Sequence, residues 1–202
     1  LEAYKQHSTD ADLIQEADYM LVYSAYEQGR PNAVELLKDY LDVYPASRHA
    51  DEVNFLIGSA HFGQGEYQKA IFWFNESNID MLSPEQQEAY CFRLAYSLLQ
   101  IGDMEKARGY FARIEQIGTK YREASTYYVA YIDYATGKYN NALVEFTRLK
   151  DLPDYKERSL YYITQIYFIQ NKYEKVISEG KELLASYPDS ENNSEVYRIM
   201  GN

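Results

Sequence analysis

The sequence is poor in the residues that most often mark covalent staples or chemistry. A single cysteine, Cys91, rules out an internal disulfide. Three histidines, His7, His49 and His61, share no zinc-ligand spacing and have no cysteine beside them. Ten glycines and five prolines in 202 residues are too few for a loop-rich β protein. No apolar run approaches the roughly 18 residues that would span a bilayer. Basic charge is in deficit: 20 Lys and Arg against 31 Asp and Glu leave a net charge of −11. No basic cluster offsets it, so a nucleic acid would meet repulsion. The same charge favours a partner that carries basic residues. The chain opens on Leu1 without a signal-peptide pattern, and the expectation is a processed or excised piece whose targeting segment lies elsewhere.

Chemistry-bearing motifs are also missing. No GxSxG element surrounds any serine. Gly63 and Gly65 bracket Gln64, but a dinucleotide fingerprint would need a third glycine at position 68, which is Gln. With no nucleophile constellation, metal cluster or phosphate loop, the reading is a non-enzyme without cofactor. His61 and Cys91 read as packing residues, the first hydrogen-bonded, the second a small buried hydrophobe. Asp133 stands where other segments have Ala25 or Leu98, and is expected to tilt outward or accept from a tyrosine. The sequons at 75–77 and 192–194 fall in or beside expected helices and carry little information.

What the chain does have is a repeat and 23 tyrosines. Turn residues Gly29, Gly65, Gly102, Gly137 and Asn171 are separated by 36, 37, 35 and 34 residues. A near-constant period of this length means stacked supersecondary units. Each unit reads as helix, short turn, helix. Gly or Asn suits the positive φ that ends the first helix. "YPAS" at 44–47 and "YPDS" at 187–190 mark further boundaries, with Ser47 and Ser190 expected as helix caps. Ser83-Pro84 and Pro153-Asp154 mark other helix starts.

Seven residues before the turn stand Val22, Gly58, Ala95, Ala130 and Thr164; five after it stand Val34, Ala70, Ala107, Ala142 and Val176. Small residues on both helices let the axes approach. Leu21, Ile57, Leu94, Val129 and Ile163, eight before, are expected in the core. Phe74, Phe111 and Phe146 follow nine after. Two departures are expected. The first turn is one residue short, so Ala33 and Leu37 take the small and large roles. Gly180 stands where the fifth unit should have an aromatic, so its second helix should pack loosely.

This pattern resembles the tetratricopeptide repeat (TPR) family, most closely in "YPASRHADEVNFLIGSAHFGQGEYQKAIFWF". The resemblance covers about residues 15 to 202. It implies an all-α fold: a right-handed α-α superhelix, or solenoid, of about five helix-turn-helix units plus a partial sixth first helix. The sixth is expected because Gly201 lies thirteen residues past Pro188, as Gly58 lies thirteen past Pro45. "LEAYKQH" would be the tail of an earlier second helix. The expectation is a single array over 1–202, cut from a longer solenoid. The Tyr-Pro-x-Ser boundaries resemble those of bacterial exported members, the outer-membrane-assembly lipoproteins and Tol-Pal accessory proteins. That implies the periplasm or an outer-membrane association; the cytoplasm is the alternative.

The resemblance lines the concave surface with first helices. Positions ten, six and three before the turn follow the helical period and share one face. Twelve of those fifteen positions are aromatic, in a chain that is 16% aromatic: Tyr19, Tyr23, Tyr26, Phe55, Phe62, Phe92, Tyr96, Tyr127, Tyr131, Tyr134, Tyr161 and Phe168. Two readings stand. The rings pack neighbouring repeats together, or they line a groove that grips a ligand. Rings at six and three before the turn should be the more exposed. Peptide-clamping members of the family hold a C-terminal carboxylate with Lys, Arg and Asn. Here the lining is aromatic with Glu16, Glu52 and Arg158 at its edge, which argues against that docking. The function expected is a scaffold binding a protein or peptide segment along the aromatic groove. The alternative is a carbohydrate or cell-wall binding module on the same rings.

Overall fold

The computed structural model describes residues 10–201. Residues 1–7, expected as the tail of an earlier helix, lie outside that range. The described residues form eleven α-helices and no strand. They are α1 Ala11–Glu27, α2 Ala33–Val43, α3 Ala50–Gly63, α4 Tyr67–Asn75, α5 Pro84–Gln100 and α6 Met104–Ile117. There follow α7 Arg122–Ala135, α8 Tyr139–Leu149, α9 Pro153–Ile169, α10 Tyr173–Ser186 and α11 Asn193–Met200. The chain divides into two compact units, residues 1–110 and 111–202, with the division inside α6. In the first unit α1 packs on α2, α3 on α4, and α4 on α5. In the second, α7 packs on α8, α9 on α8 and α10, and α11 on α10 and α9.

The five turn residues all have positive φ: Gly29 at 62°, Gly65 at 72°, Gly102 at 89°, Gly137 at 78° and Asn171 at 57°. Each donates its N–H to the carbonyl three residues back, as from Gly65 to Phe62 at 3.0 Å. The next residue donates to the carbonyl five back, as from Glu66 to His61 at 2.9 Å. This pair of bonds is the Schellman ending, which satisfies carbonyls that the helix leaves orphaned.

The other boundaries have separate causes. Ser83 and Gln86 form a reciprocal capping box at α5, with Pro84 in the first helical position. Pro153 likewise takes the first helical position of α9, where Leu152 provides no side-chain cap. Ser47 and Ser190 are not the caps of α3 and α11. Those are His49 and Asn192. Ser47 Oγ accepts from His49 N at 3.1 Å, and Ser190 Oγ from Asn192 N at 3.2 Å. Each hydroxyl serves a turn ahead of the helix, two residues short of the position from which it would cap.

The core follows the helical period. Phe74, Phe111 and Phe146 are fully buried, as are Ala70, Ala107, Ala142, Ala95, Ala130 and Thr164. Each buried Phe contributes about 1.5–3 kcal/mol. The shifted register of the first repeat is present: Ala33 and Leu37 are buried and Val34 is only half-buried. Ile57, Leu94 and Ile163 are buried, whereas Leu21 and Val129 keep part of their surface. The fifth repeat is not loosely packed. Gly180 is buried, and a Cβ on it would stand 2.6 Å from Met200 Sδ and 3.3 Å from Val196 Cγ1. The missing side chain makes room for α11, the partial first helix expected after Pro188.

Candidate binding face

The aromatic stripe must be described unit by unit. In the first unit, α1 carries Tyr19, Tyr23 and Tyr26 at spacings of four and three, so all three share a face. Tyr19 is buried. Its ring stacks on His49 at 3.6 Å, and its hydroxyl donates to Glu52 Oε2 at 2.6 Å. Burial, then Glu52, pushes its pKa well above the ordinary tyrosine value. Tyr23 is half-buried and tilted against Tyr19 at 5.8 Å. Tyr26 is half-buried too; burial raises its pKa, with Arg93 opposing.

Phe55, on α3, is buried, with the Arg93 guanidinium 5.6 Å over its ring. Arg93 Nη1 also donates to Ser59 Oγ at 2.6 Å. Phe62, Phe92 and Tyr96 are half-buried. Phe62 meets Tyr96 edge-on at 5.8 Å and Tyr67 at 6.2 Å. Phe92 stacks on Tyr96 at 6.5 Å. Such pairs contribute about 0.5–1.5 kcal/mol each. At the rim, Glu16 pairs with Arg48 at 2.6 Å and His49 at 2.9 Å. Both partners hold its carboxyl below the ordinary range, His49 the more strongly.

In the second unit Tyr127, Tyr131, Tyr134, Tyr161 and Phe168 are all half-buried. Four of them converge on one ring that the stripe did not include. Tyr162 lies 5.0 Å from Tyr134, 6.0 Å from Tyr131, 6.4 Å from Tyr127 and 5.2 Å from Tyr161. It stacks on Phe146 at 4.8 Å, as Tyr128 stacks on Phe111 at 4.9 Å. Tyr128 and Tyr162 both stand nine residues before their turns, so a second aromatic register was present in the sequence. These two tyrosines join one repeat's phenylalanine to the next repeat's first helix. Arg158 is exposed over Tyr127 at 5.8 Å.

The rings thus divide by depth. Tyr19 and Phe55, ten before the turn, are consumed by packing. The other ten of the twelve keep a solvent-facing part while touching neighbours. Of the remaining polar candidates, His61 is buried with Nδ1 2.6 Å from Glu66 Oε2, and Cys91 is fully buried. Asp133 does not tilt outward. It is 1% exposed, with Lys138 Nζ 4.0 Å from Oδ1. Its offset faces the second helix, and the lysine just past the turn approaches it there. Among the described residues no three His, Cys, Asp or Glu side chains converge as metal ligands, and no helix is long and apolar enough to cross a membrane.

Residues 88–116, from α5 through α6, match the family model described as Tetratricopeptide repeat. No curated protein matches the sequence. Among solved structures, a tetratricopeptide repeat protein from Parabacteroides merdae ATCC 43184 is similar with a TM-score of 0.69 at 18% identity, over 93% of this chain and 73% of that one. The MamA protein gives 0.67 at 15% identity, over 90% and 94%. Pseudomonas aeruginosa pilF gives 0.59 at 18%, over 93% and 98%. At these identities the likeness is one of fold: an all-helical array of TPR-type hairpins.

Proposed function

We propose that this chain is a non-enzymatic scaffold that binds a protein or peptide segment along the aromatic face of its first helices. Folds of this kind generally serve as protein-protein interaction scaffolds. The observation that carries the reading is the half-burial of ten stripe aromatics. Rings held by neighbours on one side and open on the other are rigid anchors that lose little entropy on binding.

Peptide display against the full chain tests the reading. Peptides recovered by the wild type should be lost when Tyr96→Ala and Tyr131→Ala are combined, with circular dichroism showing that the helices remain. Equal recovery from both proteins would remove the face from the account. The Tyr-Pro-x-Ser boundaries also support placement in a bacterial envelope. Cell fractionation that finds the protein in the cytosol would exclude it.

A further inference from the structure

The two units differ in charge. Residues 1–110 carry 18 acidic and 8 basic side chains, and residues 111–202 carry 13 and 12. Nearly all of the net −11 therefore belongs to the first unit. Part of it lies on the aromatic face of α1. Glu27 follows Tyr23 by four residues and so shares its face. Glu52 reaches the same place from α3, anchored by the Tyr19 hydroxyl and by Gln86 Nε2, both at 2.6 Å. The Tyr19 ring that holds Glu52 lies 5.8 Å from the Tyr23 ring, and burial first, then Glu27, then Glu52 raise the Tyr23 pKa.

The carboxylates on this face are not equally available. Glu16 is engaged by Arg48 and His49. The donors to Glu52 are neutral, apart from the His49 ring 3.9 Å away. Glu27 is exposed, and no ion pair or hydrogen bond engages it among the described residues.

Elsewhere the protein shows what such rings accept. Arg93 lies over Phe55 at 5.6 Å and Arg158 over Tyr127 at 5.8 Å. Phe55 and Tyr127 both belong to the aromatic stripe of the first helices, and each takes a cation of the chain itself. Tyr23 has two carboxylates acting on it and, among the described residues, no cation over its ring.

We propose that the first unit's aromatic face docks a basic segment of a protein partner, with a Lys or Arg of that segment over Tyr23 beside Glu27 and Glu52. The proposal rests on the scaffold reading and gives its occupant a charge and an anchor point. Cation–π contact and charge complementarity act together there, and the unit's net charge steers the approach. An acidic or neutral segment would leave both carboxylates uncompensated.

Fluorescence anisotropy on the full chain, at low salt, tests this with a labelled short peptide of alternating Ala and Arg. The comparison peptide has citrulline in place of each arginine. The arginine peptide should bind the more tightly. Tyr23→Leu and Glu27→Gln should each weaken it about fivefold. Glu105→Gln, an equal charge change on α6, should weaken it less than about twofold. Glu27 is exposed, so its variant keeps the fold and remains informative if Tyr23→Leu is unstable. Equal losses in Glu27→Gln and Glu105→Gln would overturn the anchor in favour of diffuse attraction. Equal binding of arginine and citrulline peptides would overturn the basic occupant. If display still recovers face-dependent peptides in that event, only this proposal fails. If it recovers none, the scaffold reading fails with it.

Discussion

His61 and Glu66 meet across the second turn, with imidazole Nδ1 2.6 Å from carboxylate Oε2. Asp133 and Lys138 hold the same two places in the fourth turn, with Oδ1 and Nζ 4.0 Å apart. Acid and base have exchanged sides. In both turns the backbone N–H of the later residue donates to the carbonyl of the earlier one, at 2.9 and 2.7 Å. A polar pair therefore stands where this helix ending often has a hydrophobic contact.

Two glycines beside that pair should respond in opposite directions. Gly65 has φ of 72°, and a Cβ there meets nothing within 4 Å. Gly65→Ala should lose about 1–2 kcal/mol in urea unfolding, all of it from backbone strain. Gly63 is the last residue of α3 and also meets nothing. Gly63→Ala should gain up to about 1 kcal/mol. The same sign for both would refute the assignment of the turn.

Gly58 answers to space rather than to backbone angle. A Cβ there would lie 2.8 Å from two ring carbons of Phe74. Gly58→Ala should cost about 1–3 kcal/mol. Combining it with Phe74→Leu should cost less than the two single losses added together, because the smaller side chain relieves the clash. Strict additivity in a double-mutant cycle would count against this contact.

Acid should weaken the fold. Glu66 is held below its ordinary value of 4.5 by Lys69 first and His61 second. Glu16, Glu182 and Glu195 are lowered by His49, Lys156 and Arg198. A depressed carboxylate contributes stability above its unfolded pKa and loses it as pH falls through the folded one. The urea midpoint should therefore hold level above about pH 5 and fall below about pH 4.5. Glu66→Gln should shrink that fall. A midpoint that rises on acidification would contradict these ion pairs.

A peptide ending in acidic residues and a free carboxylate should not bind in the micromolar range. The first unit's face presents Glu27 and Glu52, and Arg93 is already committed to Phe55 and Ser59. Calorimetric titration of the full chain is the check, and micromolar affinity would reverse the electrostatic reading of the face.

The sequence alone determined what depends on local geometry. Positive φ at Gly29, Gly65, Gly102, Gly137 and Asn171 is a demand of the helix ending, met within a few residues of chain, so period and turns were legible. The small and phenylalanine positions followed from the helical period, including the shift to Ala33 and Leu37. The tertiary structure decided what depends on distant neighbours. Tyr19 and Tyr23 are the same residue type four apart, yet His49 and Glu52 take one and leave the other partly open. Met200 filling the space at Gly180, and Tyr162 gathering three tyrosines of α7, join residues that local pattern does not pair. Helical periodicity selects the face a side chain occupies. The depth of its burial is set by whichever helix packs against that face, and that partner comes from another part of the chain.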